Sequence, residues 1–280
     1  MLTILLDNLC FGEGPRWHDG RLYFSDMHAH DVIAVSLDGR RETIAHVPGQ
    51  PSGLGWTPDG RLLIVSMLDR TLLRQDGGSL TRVADLAHLA SSHCNDMVVD
   101  RRGNAYIGNF GFDLFDKSAP RRAAELILVR PDGHASVVAR DMLFPNGAVI
   151  TPDGATLIVG ESTAARLTAF DIGEDGGLSN RRVWAALAKG TVPDGICLDA
   201  AGAIWVASPS TLNCLRVEQG GRVTDTIDCE RSAYACMLGG DDRRTLFIVT
   251  AQSSDPEACR AQRSGRIEYT RVAAPGAGWP

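Results

Sequence analysis

The stretch VPDGICLDAAGAIWVA, residues 192–207, decides the fold. It contains a carboxylate within a Pro-Asp-Gly segment, a short apolar run, a tight turn that ends at Gly202 and a second apolar run, which is the pattern of a β-hairpin with a polar residue at its mouth. Similar units have their turns at Asp19-Gly20, Asp59-Gly60, Arg102-Gly103, Asp153-Gly154 and, without the glycine, residues 241–244. Six copies spaced by about 40 to 50 residues predict an all-β fold, a six-bladed β-propeller with four-stranded blades.

The repeat allows equivalent positions to be compared between copies. A polar residue stands at a similar distance before most of the turns: Glu13, Ser52, Asn95, Asn146 and Asp194, with Tyr234 and Ala235 at the matching place of the sixth copy. In a propeller these positions lie where the innermost strand begins, at one end of the central channel. We therefore expect Glu13, Asn95, Asn146 and Asp194 to converge on one point.

Four oxygen-bearing side chains, two of them anionic, suit a hard divalent cation such as Ca²⁺, Mg²⁺ or Mn²⁺. Zn²⁺ is the second choice because it prefers His and Cys. The alternative is that Asn146 and Asp194 only form turns, since Pro-Asn-Gly and Pro-Asp-Gly are both turn sequences. The shared offset across the copies favours the channel site.

Length and composition favour one soluble domain over residues 1–280. The net charge of −6, with no basic stripe, argues against a nucleic-acid partner. No apolar run approaches the roughly 20 residues that span a bilayer, so no membrane partner is expected. The seven cysteines are odd in number and form no C-x-x-C pair, and the start MLTILLD lacks the features of a signal peptide. These features predict a reduced, cytoplasmic protein, a monomer or weak homo-oligomer.

Four segments outside the repeat carry further expectations. Residues 2–6 are predicted to pair with residues 266–272, which closes the ring with strands from both termini and removes its open edges. Residues 273–280 are rich in Gly, Pro and Ala and are expected to be loose. Residues 85–92 allow one helical turn at most and are expected to lie over the channel mouth as part of the substrate site. The aromatic insertion 111–117 is either a lid over the pocket or a surface loop.

Four motifs at the mouths of blades 1, 3, 4 and 5 are FGEGPRW (11–17), SSHCNDMVVD (91–100), FPNG (144–147) and VPDG (192–195). Together, in this order and spacing, they resemble the gluconolactonase, regucalcin and luciferin-regenerating-enzyme family over nearly the whole chain. The resemblance implies a six-bladed β-propeller that binds one divalent metal, Ca²⁺ first, and hydrolyses lactones, chiefly sugar lactones. It implies Glu13, Asn146 and Asp194 as metal ligands, Asn95 as a near ligand or substrate contact, and Asp194 also as general base.

One residue departs from that pattern. Members selective for aldonolactones often carry Arg two residues before the Asn, where this chain has His93. A less polar lactone or an ester therefore becomes an alternative substrate. We expect His93 and Phe112 to contribute, with Asn95, to substrate binding.

Other chemistries fit the sequence less well. A serine hydrolase is disfavoured because no G-x-S-x-G elbow is present. Cys94 and His93 are adjacent on a predicted strand and would point to opposite faces, so they would not form a nucleophile and base pair. A zinc site at His18, His28 and His30 is an alternative, although no further ligand stands at a suitable place. A non-enzymatic metal-binding or interaction propeller is the competing function class, but an interaction platform would not require Glu13, Asn146 and Asp194 at one depth.

Overall fold

The computed structural model describes residues 2–114, 116 and 118–278. Within these residues 24 strands form six four-stranded antiparallel sheets. The sheets are the blades of a six-bladed β-propeller, so the architecture predicted from the repeat is confirmed. From the innermost strand outward, blade 1 has β2 (Gly12–His18), β3 (Arg21–Asp26), β4 (Asp31–Val35) and β5 (Arg41–His46); blade 2 has β6 (Pro51–Trp56), β7 (Leu62–Ser66), β8 (Thr71–Asp76) and β9 (Ser79–Asp85); blade 3 has β10 (Cys94–Val99), β11 (Ala105–Asn109), β12 (Ala124–Val129) and β13 (Ala135–Met142).

The second half of the ring follows the same plan. Blade 4 has β14 (Pro145–Ile150), β15 (Thr156–Glu161), β16 (Arg166–Ile172) and β17 (Leu178–Ala186); blade 5 has β18 (Ile196–Leu198), β19 (Ile204–Ser208), β20 (Asn213–Val217) and β21 (Val223–Asp228); blade 6 has β22 (Ser232–Gly239), β23 (Thr245–Ala251), β24 (Gly265–Arg271) and, from the start of the chain, β1 (Thr3–Leu9). Three short helices lie in connections: 3₁₀ turns at Met27–Ala29 and Ser162–Ala164, and α1 (Pro256–Gln262). In the described part of the chain, no helix has both the length and the apolar character that crossing a membrane requires.

Strands from both ends of the sequence close the ring. In blade 6, β1 pairs antiparallel with β24, with Thr3 opposite Tyr269 and Leu9 opposite Gly265. The innermost strand of blade 1 contacts those of blades 2 and 6, so the inner strands form a continuous ring around the channel. The predicted closure is confirmed.

The second strand of each blade packs between neighbouring blades. Strands β7, β11, β19 and β23 are buried along their whole length, and therefore read as continuous apolar runs rather than alternating ones. The outer strand β21, in contrast, is largely exposed. Large side chains such as Trp205 and Phe247 are fully buried in these layers.

The inner strands are irregular at the positions singled out by the repeat. The pairing register shifts between Glu13 and Arg16, between Pro51 and Leu54, and at the same place in blades 3, 4 and 6. A β-bulge changes the direction of the side chains around it. The bulges therefore lie at one level of the channel, next to the predicted site residues.

The glycines after Asn146 and Asp194 serve close packing of the blades. Gly147 and Gly195 have no positive φ, and Gly147 lies within β14. A Cβ on Gly147 would lie 2.5 Å from the Ile196 backbone nitrogen, and one on Gly195 would lie 2.4 Å from the Ala235 Cβ. The alternative reading as a turn is wrong for Asn146 and Gly147, because both lie within β14. Asp194 and Gly195 lie outside the strands, in the segment that leads into β18. Both glycines allow neighbouring inner strands to approach.

Two predicted loop segments behave differently from expectation. Residues 273–278 are tied down: the Gly276 and Ala277 amides donate to Arg243 and Leu198 carbonyls at 2.9 and 3.0 Å, and the Pro275 carbonyl accepts from Ala200 at 2.7 Å. This tail, with Trp279 and Pro280 outside the described residues, borders the end of the channel opposite the bulges. For residues 273–278 the expectation of a loose tail is wrong, because their polar backbone completes hydrogen bonds of blades 5 and 6.

The connector 85–92 also lies elsewhere than predicted. It contains a single turn, in which the Ala90 amide donates to the Leu86 carbonyl at 2.9 Å. Leu86 and Ala90 are buried in the core shared by blades 2 and 3, and the segment does not line the cavity at the channel mouth. Its apolar residues anchor it to the core and away from the substrate site.

Candidate functional site

A cavity of about 810 Å³ opens at the end of the channel where the inner strands begin. Glu13, Asn95, Asn146 and Asp194 all line it. These residues come from the inner strands of blades 1, 3 and 4 and from the segment that leads into β18 of blade 5. The structure therefore brings together the four residues that the repeat comparison selected.

A chain of hydrogen bonds connects these inner strands. The Ser52 hydroxyl donates to Asn95 Oδ1 at 3.1 Å, and Asn95 Nδ2 donates to Asn146 Oδ1 at 3.1 Å. Asn146 Nδ2 donates to Ser162 Oγ at 3.2 Å, and that hydroxyl donates to the Pro193 carbonyl at 2.7 Å. The side chains of Asn95 and Asn146 are thus held in fixed orientations next to Asp194.

Asp194 and Glu13 are two carboxylates near each other in a poorly hydrated place. Asp194 is 8% exposed, and its buried Oδ1 has no hydrogen-bond partner among the described residues. Burial raises the pKa of Asp194 well above its ordinary value and the charge of Asp96 raises it further, whereas a hydrogen bond from the Asn146 side chain to the carboxylate lowers it. Burial and then the charge of Asp194 raise the pKa of Glu13 in the same way, although the Gly14 amide donates to Glu13 Oε2 at 3.1 Å. A buried carboxylate oxygen without a partner is costly, and a cation would satisfy it.

A buried ion pair lies next to these carboxylates in the channel. Arg16, 4% exposed, places its guanidinium 3.1 Å from Asp96 and also donates to the Pro15 and Met97 carbonyls. With all groups ionised, Glu13, Asp96 and Asp194 against Arg16 leave two uncompensated negative charges. The oxygen donors, the partnerless Asp194 oxygen and this charge balance all fit a hard divalent cation.

Aromatic rings form much of the cavity wall. Phe11 packs edge-on against Tyr234 at 4.7 Å between ring centroids. Across the mouth, Phe144 stacks on Phe110 at 5.0 Å and lies 5.7 Å from Phe112. The charged residues that line the cavity above its floor, Asp116, Arg121 and Lys189, are exposed and stand at the rim. The wall above the polar floor is therefore largely apolar.

The structure separates the predicted substrate contacts. Phe112 lines the cavity, and the Ser92 hydroxyl donates to its carbonyl at 2.6 Å. Phe115 and Lys117 of the insertion lie outside the described residues, so the lid remains a prediction. His93 does not line the cavity. Burial lowers its pKa, and Asp113 acts in the opposite direction. The structure thus brings Asn95 and Phe112, but not His93, to the cavity.

The alternative chemistries find no support in the geometry. Cys94 is fully buried, and burial raises the pKa of its thiol to about 12, so it is no nucleophile. His18 stacks on Trp56 at 4.1 Å, whereas His28 lines the cavity. Over the residues that the structure describes, no group of three or more His, Cys, Asp or Glu side chains is arranged to hold a metal. The histidine zinc site is therefore wrong. The mixed set of Glu13, Asn146 and Asp194 has only two members of these four residue types, so it is a separate hypothesis.

Ser162 is the main residue that the sequence reasoning missed. It directly follows β15, and the residues that follow the second strands of blades 1, 2, 3 and 5 are apolar: Met27, Met67, Phe110 and Pro209; the exposed Gln252 follows β23 of blade 6. Three of these four apolar residues, Met27, Met67 and Phe110, belong to one apolar cluster around the channel mouth. Comparing this second set of equivalent positions would have identified Ser162, with Gln252, as a polar exception.

Comparison with known proteins agrees with this architecture. The model of the SMP-30/gluconolactonase/LRE-like region matches residues 11–252. A Pseudomonas putida protein named 6-deoxy-6-sulfogluconolactonase is 28% identical over 278 residues, 96% of this chain and 94% of its own length. A solved luciferin-regenerating enzyme superposes with a TM-score of 0.84 at 19% identity, covering 100% of this chain and 99% of that one. A structure described as a calcium-binding protein, regucalcin, from Agrobacterium tumefaciens gives a TM-score of 0.77 at 22% identity, covering 98% and 94%.

The family match covers blades 1 to 5 completely and includes strands β22 and β23 of blade 6. It includes Glu13, Asn146 and Asp194 together with the segments that hold them. The chain belongs to the SMP-30/gluconolactonase/LRE-like family.

Proposed function

We propose that this protein is a divalent-metal-dependent lactone hydrolase in which Asp194 is the general base. The observation that carries the proposal is the partnerless, buried Oδ1 of Asp194 beside Glu13 and Asn146 at the floor of a large cavity. Family membership supports the reaction class, because the P. putida relative is named as a lactonase.

Glu13, Asn146 and Asp194 would hold the ion. Their donors are all oxygen, which suits Ca²⁺, Mg²⁺ and Mn²⁺ and makes Zn²⁺ the last choice. The calcium-binding description of the regucalcin structure supports Ca²⁺ as the first choice. When bound, the ion supplies a Lewis acid that polarises the lactone carbonyl, a contribution of several kcal/mol.

The chain's own residues then perform the proton transfers. Asp194 takes a proton from the water whose oxygen attacks the lactone carbonyl carbon. The ring C–O bond breaks, the proton passes to the leaving alkoxide oxygen, and the product is a hydroxy acid. Asn95 uses one amide hydrogen toward Asn146 and keeps the other for a substrate oxygen.

The wall of the cavity bears on the substrate. The name of the P. putida relative, 6-deoxy-6-sulfogluconolactonase, supports a sugar lactone as the substrate. A second candidate is a less polar lactone or ester. It is favoured by the apolar rings that line the cavity, Phe11, Phe110, Phe144 and Tyr234, above a floor whose two amides are partly engaged, Asn95 with Asn146 and Asn146 with Ser162. The cavity of about 810 Å³ also has room for a bulky substituent.

The test is a lactone panel with metal reconstitution. EDTA-treated protein is assayed with gluconolactone, dihydrocoumarin and a γ-butyrolactone, before and after Ca²⁺, Mg²⁺, Mn²⁺ or Zn²⁺ is added. We expect hydrolysis to stop with EDTA and to return best with Ca²⁺. Background rates with every metal and every lactone would favour a non-enzymatic platform instead.

The panel also separates the two substrate classes. Phe144→Ala should raise KM for dihydrocoumarin by roughly 2- to 10-fold, the worth of one aromatic contact, and should affect gluconolactone less. Val183→Ala, at a site 57% exposed on β17 and outside the cavity, is the control. Equal effects of Phe144→Ala on both lactones would contradict a role of the aromatic wall in choosing the substrate.

A further inference from the structure

Ser162 occupies a position that is apolar in four of the other five blades. The residues that follow the second strands of blades 1, 2, 3 and 5 are Met, Met, Phe and Pro, and the fifth, Gln252 of blade 6, is exposed, whereas Ser162 is buried. Ser162 is 5% exposed, and its backbone amide donates to the Phe144 carbonyl at 3.0 Å. A buried hydroxyl in this apolar ring needs partners, and it has two: Asn146 Nδ2 and the Pro193 carbonyl.

The direction of these hydrogen bonds is determined by chemistry. The Pro193 carbonyl can only accept, so the Ser162 hydroxyl proton is committed to it. The Ser162 oxygen is then an acceptor toward Asn146, and the amide NH₂ must be the group that faces it. Asn146 Oδ1 consequently points the other way, where it accepts from Asn95 and keeps a second lone pair. An amide NH₂ cannot ligate a cation, but that lone pair can.

We propose that Ser162 is a positioning residue that orients two metal ligands at once. It selects the amide orientation that offers the oxygen of Asn146, and through the Pro193 carbonyl it holds the residue that precedes Asp194. This inference rests on the proposed metal site. The contact from Ser162 of blade 4 to the Pro193 carbonyl would hold Asn146 and Asp194, the ligands from blades 4 and 5, in fixed relative positions. Groups that orient metal ligands typically change metal affinity by 10- to 100-fold when removed.

The experiment measures metal binding directly. Ca²⁺ and Mn²⁺ are titrated into EDTA-treated and dialysed full-length protein by calorimetry, for wild type, Ser162→Ala, Ser162→Cys and Ser162→Thr. We expect Kd to rise roughly 10- to 100-fold in Ser162→Ala and to rise in Ser162→Cys, whose thiol is a weak hydrogen-bonding group. Ser162→Thr keeps the hydroxyl and should stay near wild type. Lactonase kcat of Ser162→Ala should recover at saturating Ca²⁺, whereas the loss of a proton-transferring group would not be restored.

Ser66→Ala is the matched control. Ser66 is also fully buried at the end of a second strand, but its hydroxyl donates to Asp69 at 2.7 Å and does not contact the chain of hydrogen bonds. We expect its Kd to be unchanged. If wild type binds neither ion, the metal site itself is wrong and the role of Ser162 is wrong with it. If wild type binds the ions and Ser162→Cys or Ser162→Ala binds them equally well, only the role of Ser162 is overturned. If Ser162→Ala does not fold, the Kd of Ser162→Cys decides.

Discussion

Replacing Gly147 by alanine tests whether close packing of the inner strands builds the site. The added Cβ would lie 2.5 Å from the Ile196 nitrogen and 2.6 Å from the Asp194 carbonyl oxygen, both backbone atoms, whereas ordinary contacts begin at 3.4 Å. Blades 4 and 5 would have to separate by almost 1 Å locally. The hydrogen bond from the Gly147 amide to the Asp194 carbonyl, 3.1 Å long, would lengthen with them.

The expected cost follows from these two effects. Overpacking costs about 1–3 kcal/mol and a weakened hydrogen bond about 0.5–1.5 kcal/mol, so the free energy of unfolding should fall by roughly 2–4 kcal/mol. With an unfolding entropy of about 2.1 cal/mol/K per residue, this corresponds to a loss of roughly 3–7 °C in Tm for a chain of 280 residues. Because Asn146 and Asp194 would also move apart, Ca²⁺ affinity should fall as well.

Differential scanning calorimetry and Ca²⁺ titration provide the assay. The matched control is Gly160→Ala on the neighbouring strand β15, where the new Cβ would have no contact shorter than 3.4 Å and φ is not positive. We expect Gly160→Ala to change the free energy of unfolding by less than about 1 kcal/mol. A Gly147→Ala protein with the Tm and Ca²⁺ affinity of Gly160→Ala would refute the packing argument.

Three further predictions follow from the site and the tail. Asp194→Asn should lower kcat/KM by roughly 10²- to 10⁴-fold with an unchanged circular dichroism spectrum, and full turnover would exclude Asp194 as the base. The folded-state pKa values of Glu13 and Asp194 are raised, so these two groups bind protons more tightly in the folded metal-free protein than in the unfolded chain. The Tm in EDTA should therefore fall as pH rises above about 4, the ordinary carboxylate pKa, and either Ca²⁺ or Glu13→Gln should reduce this fall. An equal pH dependence of Tm in all three samples would contradict the prediction. Deleting residues 273–280 removes at least three backbone hydrogen bonds and should cost roughly 2–4 kcal/mol in urea unfolding; an unchanged midpoint would mean that the tail contributes nothing.

The sequence was sufficient for the fold because a propeller repeats one unit. The turn glycines have a visible period, and residues 2–6 had no other strand to pair with than 266–272. The convergence of Glu13, Asn95, Asn146 and Asp194 also followed from the repeat, since equivalent positions lie at one depth of the channel.

What could not be predicted depends on contacts between blades and on loops outside the repeat. The packing role of Gly147 could not be predicted because Asn-Gly is also typical of turns. The position of Gly147 within β14 and its close approach to Ile196 distinguish packing from a turn. The positions of His93 and residues 85–92 depend on side chains buried between blades 2 and 3. The order of the tail could not be predicted because a segment rich in Gly, Pro and Ala is typical of flexible chain ends. Its hydrogen bonds involve Leu198, Ala200 and Arg243, which are far away in sequence.

The shared sixth blade has a consequence for how the protein is made. Leu9 pairs with Gly265, so β1 emerges from the ribosome some 250 residues before its partner β24. At an elongation rate of about 5–20 residues per second, β1 waits for tens of seconds or less with its edge unpaired. Strand β1 precedes the other 23 strands of the propeller in the sequence and is nevertheless among the last to gain its partner.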